Sequence, residues 1–248
     1  MESFRHAFTV AKREWSSYFN SPIAYVFIII FLILIGFFTF SVAGFYENGQ
    51  ADLSAFFIWH PWLYLILVPA AAMRLWSEER RSRTIELLFT LSVTPWQAIA
   101  GKFMAAWLFL LLALALTFPL PLTAMYLGEP DRGIMLCGYI GSALLAGAYL
   151  AVGMFTSALT RNQVIAFVLA VVIGLFLILA GYPPVTDLLS RWLPLFAVNI
   201  VAGFSFMSHY DALQRGILDL RNLVYFASVI GFTLFATQAV LHHKAATT

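Results

Sequence analysis

The densest run of ionisable side chains is Ser77-Glu78-Glu79-Arg80-Arg81-Ser82-Arg83, followed at once by Thr84-Ile85-Glu86-Leu87-Leu88-Phe89-Thr90-Leu91. Interleaved carboxylates and guanidiniums beside a greasy ridge are recognition chemistry. Ile85, Leu87, Leu88 and Phe89 fit an apolar pocket, while Glu78, Glu79, Arg80, Arg81 and Glu86 can fix the register. An apolar run of about eight residues is too short to cross a bilayer. It therefore needs cover, either from the chain's own bundle or from another protein. Elsewhere the residues for catalysis are missing. H-E-x-x-H, C-x-x-C and G-x-x-x-x-G-K-[ST] do not occur, and Gly101-Lys102 has neither the glycine-rich lead nor the following hydroxyl of a phosphate loop. Ser41, Ser142, Ser157 and His60 have no partner at the spacing a nucleophile and its base require. Cys137, the one cysteine, lies in an apolar run and reads as a small packing residue; no metal site is expected.

The elements that position this segment follow from composition. The chain has 248 residues, 62% hydrophobic and 10% charged, whereas a water-soluble surface needs roughly 25% charge. A soluble cytosolic enzyme is excluded, and a net charge of +2 without a basic stripe gives no footprint for nucleic acid. About 20 apolar residues at 1.5 Å rise cross a hydrocarbon core of about 30 Å. The charge-poor windows place spans at 22–45, 54–74, 95–120, 134–159, 163–182 and 222–242. The run Tyr25 to Phe40 shows no alternation of polarity, so a closed barrel is rejected for an all-α integral membrane protein of six transmembrane helices in one domain, 1–248. Ser21 before Pro22, and Thr94 with Pro95 and Gln97, are N-terminal caps that start the first and third spans. Pro119 and Pro121 predict a kink or an end late in the third span, and His60-Pro61 does so early in the second. His60 itself reads as a satisfied interfacial histidine.

Three segments are not ordinary spans. In residues 1–20, Phe4, Phe8, Ala11, Trp15 and Phe19 share one helical face, with Arg5, Arg13 and Glu14 off it, so an interfacial helix is expected. Residues 77–93 form the loop with the charged and apolar runs. Residues 187–220 are expected as a re-entrant or interfacial helix pair on the outer side. There Ser208 and Asp211 suit a capping box, and Asp211, Arg215 and Asp219 repeat at i,i+4 on a surface helix or as an outer gate. Ala143, Gly147 and Ala151 give the fourth span a small-residue packing face. Ten Lys and Arg fall on one side of the six-helix topology and four on the other, which predicts cytoplasmic termini. The first apolar run begins late and runs long, so no cleavable signal peptide is expected. No span carries an interior charged residue, which disfavours an ion-coupled transporter. An energy source in a partner is the expectation.

The chain resembles the membrane subunit of an ABC type-2 transporter, most closely the gliding-motility-associated permease branch. The resemblance rests on Arg74-Leu75-Trp76-Ser77-Glu78-Glu79-Arg80-Arg81, Thr84-Ile85-Glu86-Leu87-Leu88, Pro95, Gly101-Lys102, Ser208-His209-Tyr210 and Arg215-Gly216-Ile217-Leu218-Asp219. It implies a non-catalytic permease of an ATP-driven exporter in the bacterial inner membrane, paired with a second permease, a copy or a relative. Two separate cytoplasmic ATPases would hold ATP and Mg2+, and a periplasmic accessory protein is a further expected partner. The loop helix at Thr84 to Leu91 would seat in an ATPase groove. Arg83 stands where the family pattern usually has glycine, which adds a positive contact there. Two alternatives stay open: a force-transmitting or scaffold component without cargo, and a stand-alone secondary transporter or channel.

Overall fold

The computed structural model describes residues 2–47, 52–82, 84 and 94–245, with the side chains from Phe8 to His243 among them. Among the described residues all regular structure is helical. Helix α1 is Glu2–Phe19, and α2 is Pro22–Phe37, prolonged by a π turn at Phe38–Val42. Ser21 caps α2 by accepting from the Ile23 amide at 3.3 Å, with Pro22 in the first turn where its missing donor costs nothing. The second crossing is broken into α3 (Ser54–Phe57), α4 (His60–Ala72) and α5 (Arg74–Arg81). The third begins at the Thr94/Gln97 capping box as α6 (Pro95–Ala115) and resumes after a turn as α7 (Pro119–Leu127). Pro119 and Pro121 break the third span without ending it. Buried Thr117 fixes the break by donating to Leu114 O at 2.6 Å and meeting the Tyr139 hydroxyl at 2.9 Å.

Helix α8 (Arg132–Leu159), capped by Asp131, is the axis of the molecule. Its most apolar window is 67% buried inside the protein, against 28% for the first span and 11% for the last. The small residues explain this: a Cβ at Gly138 would overlap the Phe57 ring, and one at Gly153 would lie 2.6 Å from Ala72 Cβ. Close approach of α3 and α4 therefore depends on glycine. After α9 (Gln163–Leu179) the chain bends by 72° into α10 (Pro183–Ser190), then forms α11 (Leu195–Gly203), α12 (Phe206–Gln214) and α13 (Leu220–Ala245). Among the described residues, five helices are long and apolar enough to cross a membrane, six if the bent α9–α10 pair is one span.

Two local expectations are corrected around α12. Ser205, not Ser208, is the N-cap, accepting from the Met207 amide at 3.1 Å and donating to Ile178 O at 3.3 Å. Nor is α12 a surface helix: Phe206, Tyr210 and Leu213 are fully buried, and the Tyr210 hydroxyl donates to Phe57 O at 3.0 Å and meets Ser142 Oγ at 3.0 Å. Its apolar face was hidden in the sequence by the charged Asp211 and Arg215 on the opposite side.

Candidate functional site

The site lies at the end of the bundle where α1, α5 and the start of α6 meet. Pro69 lacks an amide donor, and one turn later the helix breaks at Met73. A single side chain from α8 repairs the break. Ser157 Oγ accepts from the Trp76 and Ser77 amides, both at 3.0 Å, and donates to Met73 O at 2.8 Å. Arg80 reaches the exposed end of α8, donating to Ala158 O at 2.6 Å, where a cation also suits the helix dipole. Helix α5 is thereby fixed to the axis of the bundle. Ser157→Ala strands two backbone donors in a fully buried place, and it should lower stability by about 1–3 kcal/mol. Thermal unfolding of the purified variant reads this directly; an unchanged midpoint would contradict the assignment.

So placed, α5 presents Glu79 to Lys102 of α6, and α1 presents Glu14 to the same ammonium. Both Glu14 Oε1 and Glu79 Oε1 lie 2.9 Å from Lys102 Nζ, whose side chain is only 5% exposed. Fully buried Trp76 lies beneath the ammonium, 5.4 Å from ring centroid to nitrogen, a cation–π contact. Tyr18 of α1 stacks on Phe109 of α6 at 5.1 Å. Its burial, and then the charge of Glu14, push the phenol well above its usual range, so it stays neutral in the packing face. One ammonium thus ties three helices together. Removing either carboxylate leaves the other to hold the charge, whereas removing the lysine strands both.

The clamp is not legible in the sequence. Glu14 is expected off the packed face of α1, yet it is half-buried beside Trp15 and Tyr18, where it pairs with Lys102. The expectation that no span carries an interior charge is also corrected: Lys102 lies within the span that starts at Pro95, and it is buried. The available signal was that Lys102 falls three or four residues from Ala98, Ile99, Ala105 and Ala106, a face that is buried throughout.

The other candidate residues are distributed as follows. Phe8 is exposed, Trp15 and Phe19 are half-buried with rings 5.1 Å apart, and the Phe4 side chain lies outside the described residues. Glu78 and Arg81 are exposed, and Thr84 Oγ1 meets Ser82 Oγ at 2.9 Å. Arg83, Ile85, Glu86, Leu87, Leu88 and Phe89 lie outside the described residues. Gly147 faces Trp107 of α6 and Ile230 of α13, and Trp107 Nε1 donates to Ala143 O at 2.9 Å; Ala151 is buried. The small-residue face therefore packs within the chain. Arg215 pairs with Asp211 at 2.7 Å, while Asp219 caps the start of α13 by accepting from the Arg221 amide at 3.0 Å.

An apolar helical bundle whose second crossing ends in this clamp, directly before the charged and apolar sequence run, invites comparison with transporter membrane subunits. The profile described as ABC-2 family transporter protein matches residues 46–237. The chain belongs to the ABC-2 transporter family. It is therefore a multi-pass transmembrane permease component of an ABC transporter, a membrane subunit and not itself the ATPase. Comparison with individual curated proteins gives no match. Within the ABC-2 permease, Glu79, Lys102 and Ser157 fall inside the matched residues, while α1 and its Glu14 precede them.

Proposed function

We propose that this ABC-2 permease is the membrane half of an ATP-driven exporter in the bacterial inner membrane, closest to the gliding-motility-associated branch. It would form the translocation path with a second permease, a copy or a relative. The observation that carries the reading is the Lys102 clamp. It joins α1 and α5 to the third span, and α5 is followed in sequence by Thr84 to Leu91. Two cytoplasmic ATPases that grip this apolar segment and close around ATP and Mg2+ would push on α5. The clamp and the Ser157 bridge would then pass that displacement to α1, α6 and α8 together. The ten-to-four excess of Lys and Arg on the side bearing α1 supports cytoplasmic termini.

The test is to purify the chain with the products of neighbouring genes, assay for a bound ATPase, and reconstitute the complex in vesicles. ATP-dependent flux of a solute supports the exporter. Turnover without flux across a broad solute panel moves the assignment to a force-transmitting scaffold. Absence of any ATPase from the complex overturns the coupling reading and favours a stand-alone transporter.

A further inference from the structure

Between α1, the first half of α2 and the α4–α5 break lies a cleft of about 600 Å3, within the roughly 300–1,000 Å3 range of ligand sites. Alanines keep it open. Ala24 on one wall, with Ala70 and Ala71 on the other, stop short of filling the gap, while Phe27, Ile30 and Leu67 make it apolar along its length. Ile23, Val26 and Ile30 are also among the large side chains exposed on the outer face of the bundle, so the mouth opens towards lipid. One end is charged instead. Three carboxylates, Glu14, Glu78 and Glu79, line it with two cations, Arg74 and Lys102.

Two of those carboxylates already neutralise Lys102. Arg74 and Glu78 remain, and although they are of opposite charge and four residues apart on α5, neither is in an ion pair among the described residues. An i,i+4 pair that stays apart leaves a donor fork and an acceptor side by side at the head of an apolar slot. The excess of carboxylates disfavours an anionic headgroup, which would call for a basic pocket. It suits a headgroup that carries an amine as well as a phosphate.

We propose that this cleft holds one acyl chain of a zwitterionic aminophospholipid from the adjoining leaflet, with its phosphate on Arg74 and its ammonium on Glu78. The site requires only the membrane and the fold, and it stands whether or not an ATPase binds the loop. Native mass spectrometry of the full chain, after exchange into mixed phosphatidylethanolamine and phosphatidylglycerol, tests it. One phosphatidylethanolamine should stay bound per chain through delipidation, at least fivefold over phosphatidylglycerol. Ala71→Phe, which fills the slot from a partly exposed position, should cut retention at least tenfold. Arg74→Gln, an exposed change that leaves packing intact, should cut it about fivefold, and Glu78→Gln should erase the preference between the two lipids. Equal retention of both lipids by the unaltered chain, retention unaffected by Ala71→Phe and Arg74→Gln, or no retained lipid at all would overturn the proposal.

Discussion

Lys102→Met destabilises the permease by about 3–5 kcal/mol and, on the proposed coupling, abolishes ATP-driven activity of the assembled transporter. The stability figure follows from what is left behind. Methionine matches the lysine stem in bulk but leaves Glu14 and Glu79 in a site where both are less than a quarter exposed, with no counter-charge. Breaking a buried pair from one side costs about 3–5 kcal/mol because the remaining charge is desolvated and unpaired. Here two carboxylates are stranded, and they repel each other. Glu79 has little slack, since its Oε2 is already buried without a hydrogen-bond partner among the described residues. Lys102→Arg is not a conservative substitute: it keeps the charge but replaces a compact ammonium, 2.9 Å from both carboxylates, by a longer planar fork with different geometry.

A second variant separates stability from coupling. Lys102→Met combined with Glu14→Gln and Glu79→Gln removes all three charges and should regain stability to within about 1 kcal/mol of the unaltered chain, because no ion is left buried. If the clamp only holds the fold, activity returns with stability. If it transmits displacement from α5 to α1 and α6, the neutral variant assembles with its partner ATPase, which still turns over, but the complex drives no flux. Thermal unfolding, complex assembly and flux, measured on both variants, distinguish these outcomes. A single Lys102→Met variant as stable as the unaltered chain would show that the clamp contributes nothing.

The contrast between what the residues revealed and what they concealed has a physical basis. Ser21-Pro22 and Thr94-Pro95-Gln97 were legible because capping is local: donor, acceptor and fixed φ lie within four residues. The all-α membrane class was legible because it follows from the summed polarity of long windows. The clamp was not, because its three members lie 88 residues apart at the widest and each looks like an ordinary charge at a helix end. Ser157 was equally opaque, since a hydroxyl in an apolar helix gives no sign that it will bridge a helix break 80 residues earlier. Ser205 and Ser208 show the same limit at short range. Both are competent caps, and the choice falls to Ser205 because burial of Phe206, Tyr210 and Leu213 against α8 fixes where α12 must start. Long-range packing decides between locally equivalent signals.

On the proposed coupling, replacing Leu87 and Leu88 together by aspartate reduces ATPase association at least about 100-fold, about 2.7 kcal/mol, while leaving the stability of the isolated permease within about 0.5 kcal/mol. The two halves of this expectation have separate causes. Leucines anchoring in a partner's pocket lose their transfer energy and bring two charges into an apolar site, so affinity falls through faster dissociation. Stability is spared because α5 is held from its own side, by Ser157 at its start and Arg80 against the end of α8. The measurement pairs ATPase binding to immobilised permease with thermal unfolding of the permease alone. The opposite pattern is equally readable. If the apolar run is covered by the chain's own bundle, burying two aspartates costs several kcal/mol of stability and leaves any ATPase contact untouched. That outcome would detach the clamp from coupling and leave Lys102 as a fastener of the fold; loss of association at constant stability ties the charged end of α5, the clamp and the apolar run into one transmission element.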